Sequence, residues 1–493
     1  MAEPRPIQQS YSDGMKRDSG REALPPGVLW NEVDLIPDVL NSRQRKRGGW
    51  NNASATLPVG GYAQVGIVAD FTTGQSHLIQ ASGGGLFAVQ STTSLESIGN
   101  PGFTGRSMVF YNDKVILFDQ NGAIAPVKIT RTAGVHTQTP LLGSPPAGRY
   151  GLVYKDVTWI LNTAAFPKRI YFSVAGNPES YDLVNKYLDS SYPITGAAAL
   201  ANAVLVFGLG RTIRIRGSIP PPDTDFVVDD PQFEVGCTDN RSIANYRDRV
   251  IWGNAQGLWI TDGTALEDLT KICGMKSWWR DVMNGLAGFN VTNTAYDPAT
   301  WTLSGGIYGD YYVYAIHNST TLVDSGMIDL TRFTWHRQDN FRSAVFYKRQ
   351  YPEELFFGRR DSSRVGSLSS IFQPGVTNTA DGNGEVVEPY FETGFFETGS
   401  PAMKTMRRVY LGYDMRDTLS NAPTLTAGYL TSPEATAYTS LDVFSPTTAY
   451  DRQYRGLGFP ARGIAFKVAQ AGRSDDTRIY AVELDAQSRE PHR

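Results

Sequence analysis

One unit recurs along this chain and restricts its fold more than any other feature. It opens with apolar-polar alternation, turns at a short polar pair, runs through an apolar strand, turns again at Gly or a charged pair and ends in a third strand. The clearest copies are RSMVFYNDKVILFDQNGAI from Arg106, RYGLVYKDVTWILNTAAFPKRIYFSV from Arg149, ITGAAALANAVLVFGLGRTIRIRG from Ile194 and NRSIANYRDRVIWGNAQGLWITDG from Asn240. Their second strands align at Val115, Val157, Val204 and Val250, spaced 42, 47 and 46 residues apart, which is the period of a four-stranded propeller blade. A blade buries both faces against its neighbours, so inner strands such as VILF, VLVF and YVYAI are apolar on both sides. Looser copies start at Gly61, Trp301 and Phe341, the first with a hairpin turn at Gly83 to Gly85. The fold class expected is therefore all-β: a β-propeller of about seven to eight blades, the chain ends being available to complete an eighth, plus a C-terminal β-sandwich-like domain. A chain of stacked sandwiches is the competing reading, and the evenness of the spacing argues against it.

The rest of the 493 residues divides at changes of pattern. Residues 1–27 are polar and Pro-rich and read as an extended N-terminal arm. Residues 28–375 are assigned to the propeller, 376–388 to a Gly/Asn/Asp linker, and 389–493 to a β-rich domain with long alternating segments but no repeat. With 49 Gly and 28 Pro, a helical protein is excluded. A formal net charge of -3 shows no overall bias toward nucleic acid or anionic membranes. The most apolar stretch, Ile194 to Gly210, is too short to span a membrane as a helix and is interrupted by Asn202, so it reads as two buried strands around a turn. The N-terminus has no apolar core of a secretory signal, which points to a protein made and assembled in a cytoplasm. Cys237 and Cys273 stand too far apart for a disulfide framework and read as reduced, buried and inert.

A search for chemistry returns little. His77, His136, His317, His336 and His492 are scattered, with no metal-binding spacing. There is no phosphate-cradling Gly-rich loop and no nucleophile elbow. Neither a sialidase-type Asp turn nor a blade-ending Trp-Asp dipeptide is present. The expectation is a protein that is not an enzyme, with no catalytic, cofactor-binding or metal residues. Two clusters remain as candidate interaction residues. Arg43, Arg45, Lys46 and Arg47 read as a solvated loop, as intrachain salt bridges, or as a contact with DNA phosphate or an acidic subunit. Asp223, Asp225, Asp229 and Asp230, beside Pro220 to Pro222, read as a solvated loop, a cation or subunit contact, or the carboxylates of a glycan-acting enzyme.

Four blocks, taken in order, resemble the β-propeller proteins of bacteriophage tails, in particular the tail hub (stabilisation) and tail nozzle proteins of short-tailed phages. They are Gly-x-Pro-Glu-Ser at Gly176 to Ser180, the VLVFGLGRTIRIRG run at Val204 to Gly217, Val-Gly-Cys at Val235 to Cys237, and the Gly-x-Trp…Asp-Gly-Thr stretch at Gly257 to Thr264. The similarity extends loosely from Val28 to the end, and the N-terminal arm has no counterpart in it. The resemblance implies a structural virion protein: a homo-oligomeric ring, typically a hexamer, mounted below the portal and adaptor at the head-tail connection. Such a ring forms or closes the DNA ejection channel, in contact with other phage tail proteins (adaptor, tail tip or fibres) and, in passing, with genomic DNA. The expected location is the virion tail, assembled in the host cytoplasm. The alternatives are a minor tail-tip protein, as in a long-tailed phage, a host-receptor-binding propeller, and a glycan-acting propeller enzyme.

Overall fold

The computed structural model describes residues 7–9, 15–18, 24, 29–38, 43–46, 50–58, 61–222, 224–339, 341–360, 363–369, 387, 389–393, 395–397, 404–415, 424–432, 435, 437–444, 450–471 and 477–488. Within them, seven antiparallel sheets follow one another along the chain. Their first strands are Ala63–Phe71 (blade 1), Gly105–Tyr111 (blade 2), Tyr150–Tyr154 (blade 3), Gly196–Ala199 (blade 4), Ala244–Tyr246 (blade 5), Trp301–Tyr308 (blade 6) and Ser343–Arg349 (blade 7). Each first strand touches the first strands of the blades before and after it, and that of blade 7 touches that of blade 1, so the sheets close into a β-propeller ring. The repeat read from the sequence coincides with these seven units. Val115, Val157, Val204 and Val250 all lie on second strands.

The all-apolar second strands have a direct physical cause. In Lys114–Asp119, Val115 and Leu117 join a hydrophobic cluster shared with blade 1, while Ile116 and Phe118 point the other way into one shared with blade 3. Val204 and Val206 likewise face blade 3, and Leu205 and Phe207 face blade 5. Successive residues of a strand point to opposite faces, so a sheet buried on both must be apolar at every inner position. Every junction between consecutive blades has its own cluster. Close approach also matters: a Cβ on Gly358 of blade 7 would lie 2.1 Å from the Ala63 carbonyl oxygen of blade 1.

The ring is closed by a piece of chain from before its first blade. Among the described residues blade 7 has three strands of its own, and Asn51–Asn52 supplies the fourth by pairing with Val365–Ser367. Among the described residues the chain ends build no eighth blade; the N-terminal side completes the seventh instead. Two short helices, Leu269–Ile272 and Lys276–Met283, interrupt the repeat between blades 5 and 6. Asp268 caps the first through the Lys271 amide at 3.1 Å, and Trp279, Val282 and Met283 of the second fill the cluster between those blades.

Two six-stranded sheets hold the remaining described strands. One contains Leu35–Asp38, Arg43–Lys46, Thr477–Ser488, Lys404–Met415 and Tyr450–Ala461, with Ile7–Gln9 beside Thr477–Ser488. The other contains Leu29–Val33, Tyr390–Thr393, Gly463–Ala471, Thr424–Leu430 and Thr439–Phe444, with Phe396–Glu397 at its side. They share one apolar cluster that includes Leu29, Leu35, Phe391, Val409, Phe466 and Leu484. The strands of residues 29–46, which the sequence groups with the propeller, therefore pair with C-terminal strands, and these sheets are not a separate unit of the last hundred residues. The reason is the pairing itself: Glu32 lies opposite Phe391 and Arg45 opposite Arg478.

The same N-terminal strands fasten the two sheets to blade 6. Met15 bridges Leu29 on one side and Trp335 on the other. The Asp34 amide donates to the Arg337 carbonyl at 3.0 Å, the Gln338 side chain donates to the Leu35 carbonyl at 2.9 Å, and the Asp339 amide donates to the Asp34 carboxylate at 2.9 Å. Glu32 and His336, both fully buried, hydrogen-bond to each other within this seam.

Candidate functional site

The first strands of all seven blades begin around one end of the propeller axis, and a cavity of about 660 Å³ opens there. Each blade contributes to its wall: Gln64, Arg106, Arg149, Thr195, Arg241, Thr302 and Arg360 come from blades 1 to 7 in turn. Four arginines thus converge, and Asp239 is the one carboxylate among the lining residues. Farther along the same first strands a second cavity of about 490 Å³ is lined by small, apolar and uncharged polar residues such as Asn240, Asn245 and Gln350, with Lys348 as the one charged group among its described lining.

The charges at the arginine mouth are unevenly compensated. Arg241 grips Asp239 with its guanidinium, Nε donating to Oδ1 at 3.0 Å and Nη2 to Oδ2 at 2.7 Å, and Arg106 donates to Oδ1 at 2.8 Å. Burial works against the ionised carboxylate, but Arg106 and Arg241 outweigh it and hold Asp239 below the usual carboxylate range. Arg149 donates from Nε to the Gln120 carbonyl at 2.8 Å, and Arg360 donates to Thr302 Oγ1 at 2.7 Å and to the Ser319 carbonyl. The Arg360 Nε is buried with no hydrogen-bond partner among the described residues. Burial and, beside it, Arg241 lower the Arg360 guanidinium from its ordinary value, against the opposing pull of Tyr62 and Asp239.

His317 reports the same excess of positive charge. It is fully buried, and neither ring nitrogen has a hydrogen-bond partner among the described residues. Burial first, then Arg360, Arg241 and Arg342, push its pKa well below 6.5, so the ring is neutral in the fold. Below about pH 6.5 the unfolded chain takes up a proton at this position that the folded chain refuses, so stability falls as the pH falls. Between pH 7 and pH 5 this one group removes about 2 kcal/mol. Urea unfolding of the wild type and of His317→Asn across that range checks it: the variant's stability relative to wild type rises by that amount on acidification, and parallel pH profiles refute the assignment.

The acidic cluster does not converge. Asp223 lies outside the described residues. Asp225 braces its own loop, accepting from the Ser218 amide at 2.7 Å and the Ile219 amide at 2.6 Å, and these bonds to Ile219 and Ser218 lower its pKa. Asp229 pairs with Arg216 at 3.4 Å, while Asp230 accepts from Ser191 at 3.1 Å. No group of three His, Cys, Asp or Glu able to hold a metal occurs among the described residues. The basic cluster, read as a loop, is instead an inner strand: Arg43–Lys46 pairs with Leu35–Asp38 on one side and with Thr477–Ser488 on the other. The side chains of Arg43, Arg45 and Lys46, and all of Arg47, fall outside what is described. His136 is bound to Glu96 at 2.9 Å and Ser76 at 2.8 Å, His77 to Tyr347 at 2.6 Å, and His492 lies outside the described residues. Cys237 and Cys273 are unpaired and buried, and burial pushes both thiols up to about 12.

Sequence reasoning missed the arginine mouth, although one signal was present: three of the clear repeat copies open on or next to Arg106, Arg149 and Arg241. No described helix is long and apolar enough to cross a membrane.

No family model matches the chain, and no curated protein does. Among solved structures it is similar to BamB from Moraxella catarrhalis, at 13% identity over 69% of this chain and 96% of that one, with a TM-score of 0.35. It is also similar to the Neurospora crassa Pan2 WD40 domain, at 8% identity over 66% and 95% with a TM-score of 0.39. Against the RRP9 WD40 repeats the identity is 10% over 66% and 98%, with a TM-score of 0.42. The propeller assignment rests on the strand topology and the ring of neighbouring blades.

Proposed function

We propose that this chain is a structural protein of a bacteriophage tail, a hub- or nozzle-type subunit whose homo-oligomeric ring, a hexamer, forms or closes the DNA exit channel below the portal and adaptor. The observation that carries this reading is the placement of the phage-tail-like blocks. Gly176 to Ser180 is the last turn and most of the fourth strand of blade 3, Val204 to Gly217 holds the second and third strands of blade 4, Val235 to Cys237 leads into blade 5, and Gly257 to Thr264 is the third strand of that blade and the turn after it. They fall, in chain order, on three consecutive blades.

Two further features support it. A subunit that works by shape must resist deformation, and here the ring is closed and its companion sheets are bolted to blade 6 by buried hydrogen bonds. A subunit that assembles needs apolar surface, and most of the exposed large apolar side chains among the described residues lie on blades 2 to 4, including Val135, Leu142, Phe166 and Val184. Phage tail partners, the virion location and a passing contact with DNA belong to the same proposal.

Negative-stain electron microscopy of the purified chain, with native mass on the same sample, with and without the tail components it joins, tests the proposal. Closed rings of about six subunits around a pore are expected. A chain that stays monomeric with those components present overturns it, and saturable attachment of that monomer to host cells would establish receptor binding in its place.

A further inference from the structure

We infer that the arginine-lined mouth of the propeller axis is a binding site for a small, multiply charged, phosphate-bearing anion. Four guanidinium groups from blades 2, 3, 5 and 7 face one cavity of about 660 Å³, within the range of about 300–1,000 Å³ usual for small-molecule sites. Asp239 answers two of them, Arg106 and Arg241, and no other described lining residue carries a negative charge. Among the described lining residues three positive charges are left over. Confining them together is unfavourable unless an anion joins them, and the closed ring prevents the blades from moving apart.

The donors present select the chemistry. Planar guanidinium groups match the paired oxygens of phosphate more closely than lysine ammonium groups do, and a phosphate brings about two negative charges and three acceptor oxygens in one compact group. Arg360 Nε has no hydrogen-bond partner among the described residues, and its guanidinium lies 5.4 Å from the Tyr62 ring centroid, which sets an aromatic face beside the charged end of the cavity. The other cavity on the axis, with Lys348 as its one charge and that already 2.5 Å from Glu353, lacks these features and serves as the internal control.

Calorimetric titration of the full-length chain at constant ionic strength, with inorganic pyrophosphate and with adenosine triphosphate, tests the inference. One saturable site per chain is expected. Arg149→Gln, which leaves the Asp239 pairs intact, weakens binding about tenfold through loss of one charged donor, and Lys348→Gln leaves it unchanged. Tighter binding of the nucleotide identifies a nucleotide ligand, whereas equal binding identifies free phosphate. Because Arg149→Gln also removes the bond to Gln120, arginine modification of the wild-type chain by phenylglyoxal provides a second readout: pyrophosphate should protect the peptides carrying Arg149 and Arg360. Absence of saturable binding, equal loss in both variants, absence of protection, or binding of a glutamate-rich peptide in preference to pyrophosphate overturns the inference. None of these outcomes depends on whether the chain assembles into rings.

Discussion

Glu32→Ala destabilises this protein by about 3–5 kcal/mol, the cost of removing one partner from a buried, hydrogen-bonded ionisable pair. Glu32 and His336 are both at 0% exposure, and their bond spans 304 residues of sequence, joining the strand Leu29–Val33 to the outer strand of blade 6. Alanine leaves the His336 Nδ1 without its partner at a depth water does not reach, and it opens space beside Met15 and Trp335, themselves at 1% and 0% exposure. Glu32→Gln keeps an acceptor of similar size and loses less. Urea unfolding gives the total effect, and hydrogen exchange locates it. Protection should fall at Thr334–Arg337 and Leu29–Val33 and stay unchanged in blades 2 to 4. A loss below about 1 kcal/mol, or a uniform change in exchange, would show that the seam does not depend on this pair.

How much of this architecture is legible in the sequence follows from how local each cause is. The blades are legible because a strand buried on both faces must be apolar at consecutive positions, and VILF at Val115 to Phe118 records that requirement within four residues. The helix Lys276–Met283 is not visible from the repeat, because KSWWRDVM interrupts the period and its apolar face is defined only by the blades it packs on. Strand partners hundreds of residues apart are equally hidden: RQRK at Arg43–Lys46 carries a loop-like charge pattern, and only its pairing with Leu35–Asp38 and Arg478 makes it an inner strand. The arginine mouth is hidden for the same reason. Arg106, Arg149, Arg241 and Arg360 each sit in an ordinary polar context, and ring closure alone brings them to one place. The acidic cluster shows the converse: near neighbours in sequence go to three different partners, since Asp225 lies in a loop while Asp229 and Asp230 are successive residues within the strand Val227–Phe233.

Ring closure itself should respond to one side chain. Trp50 is at 0% exposure in the cluster between blades 6 and 7, edge-on to Phe357 at 5.3 Å, with the Arg359 guanidinium 4.1 Å from its ring centroid. It immediately precedes Asn51–Asn52, the strand that completes blade 7, so it anchors a pairing of only two residues that could not hold by its own hydrogen bonds. Trp50→Ala should cost about 3–5 kcal/mol, as for other buried Trp truncations. Its effect should also be local. The Ala53 amide donates to the Val365 carbonyl at 2.8 Å, and the Leu57 amide donates to the Ser363 carbonyl at 2.6 Å, so freeing this segment exposes the edge of blade 7. Exchange should accelerate first at Ala53, Leu57 and Val365–Ser367, then in the first strands of blades 7 and 1, which touch where the ring closes. Asn52→Ala, which keeps the backbone pairing and the tryptophan, should leave exchange at these positions close to wild type. If Trp50→Ala unfolded the chain uniformly, or left the edge of blade 7 as protected as before, the ring would be held shut by blade-to-blade packing alone and not by this N-terminal strand.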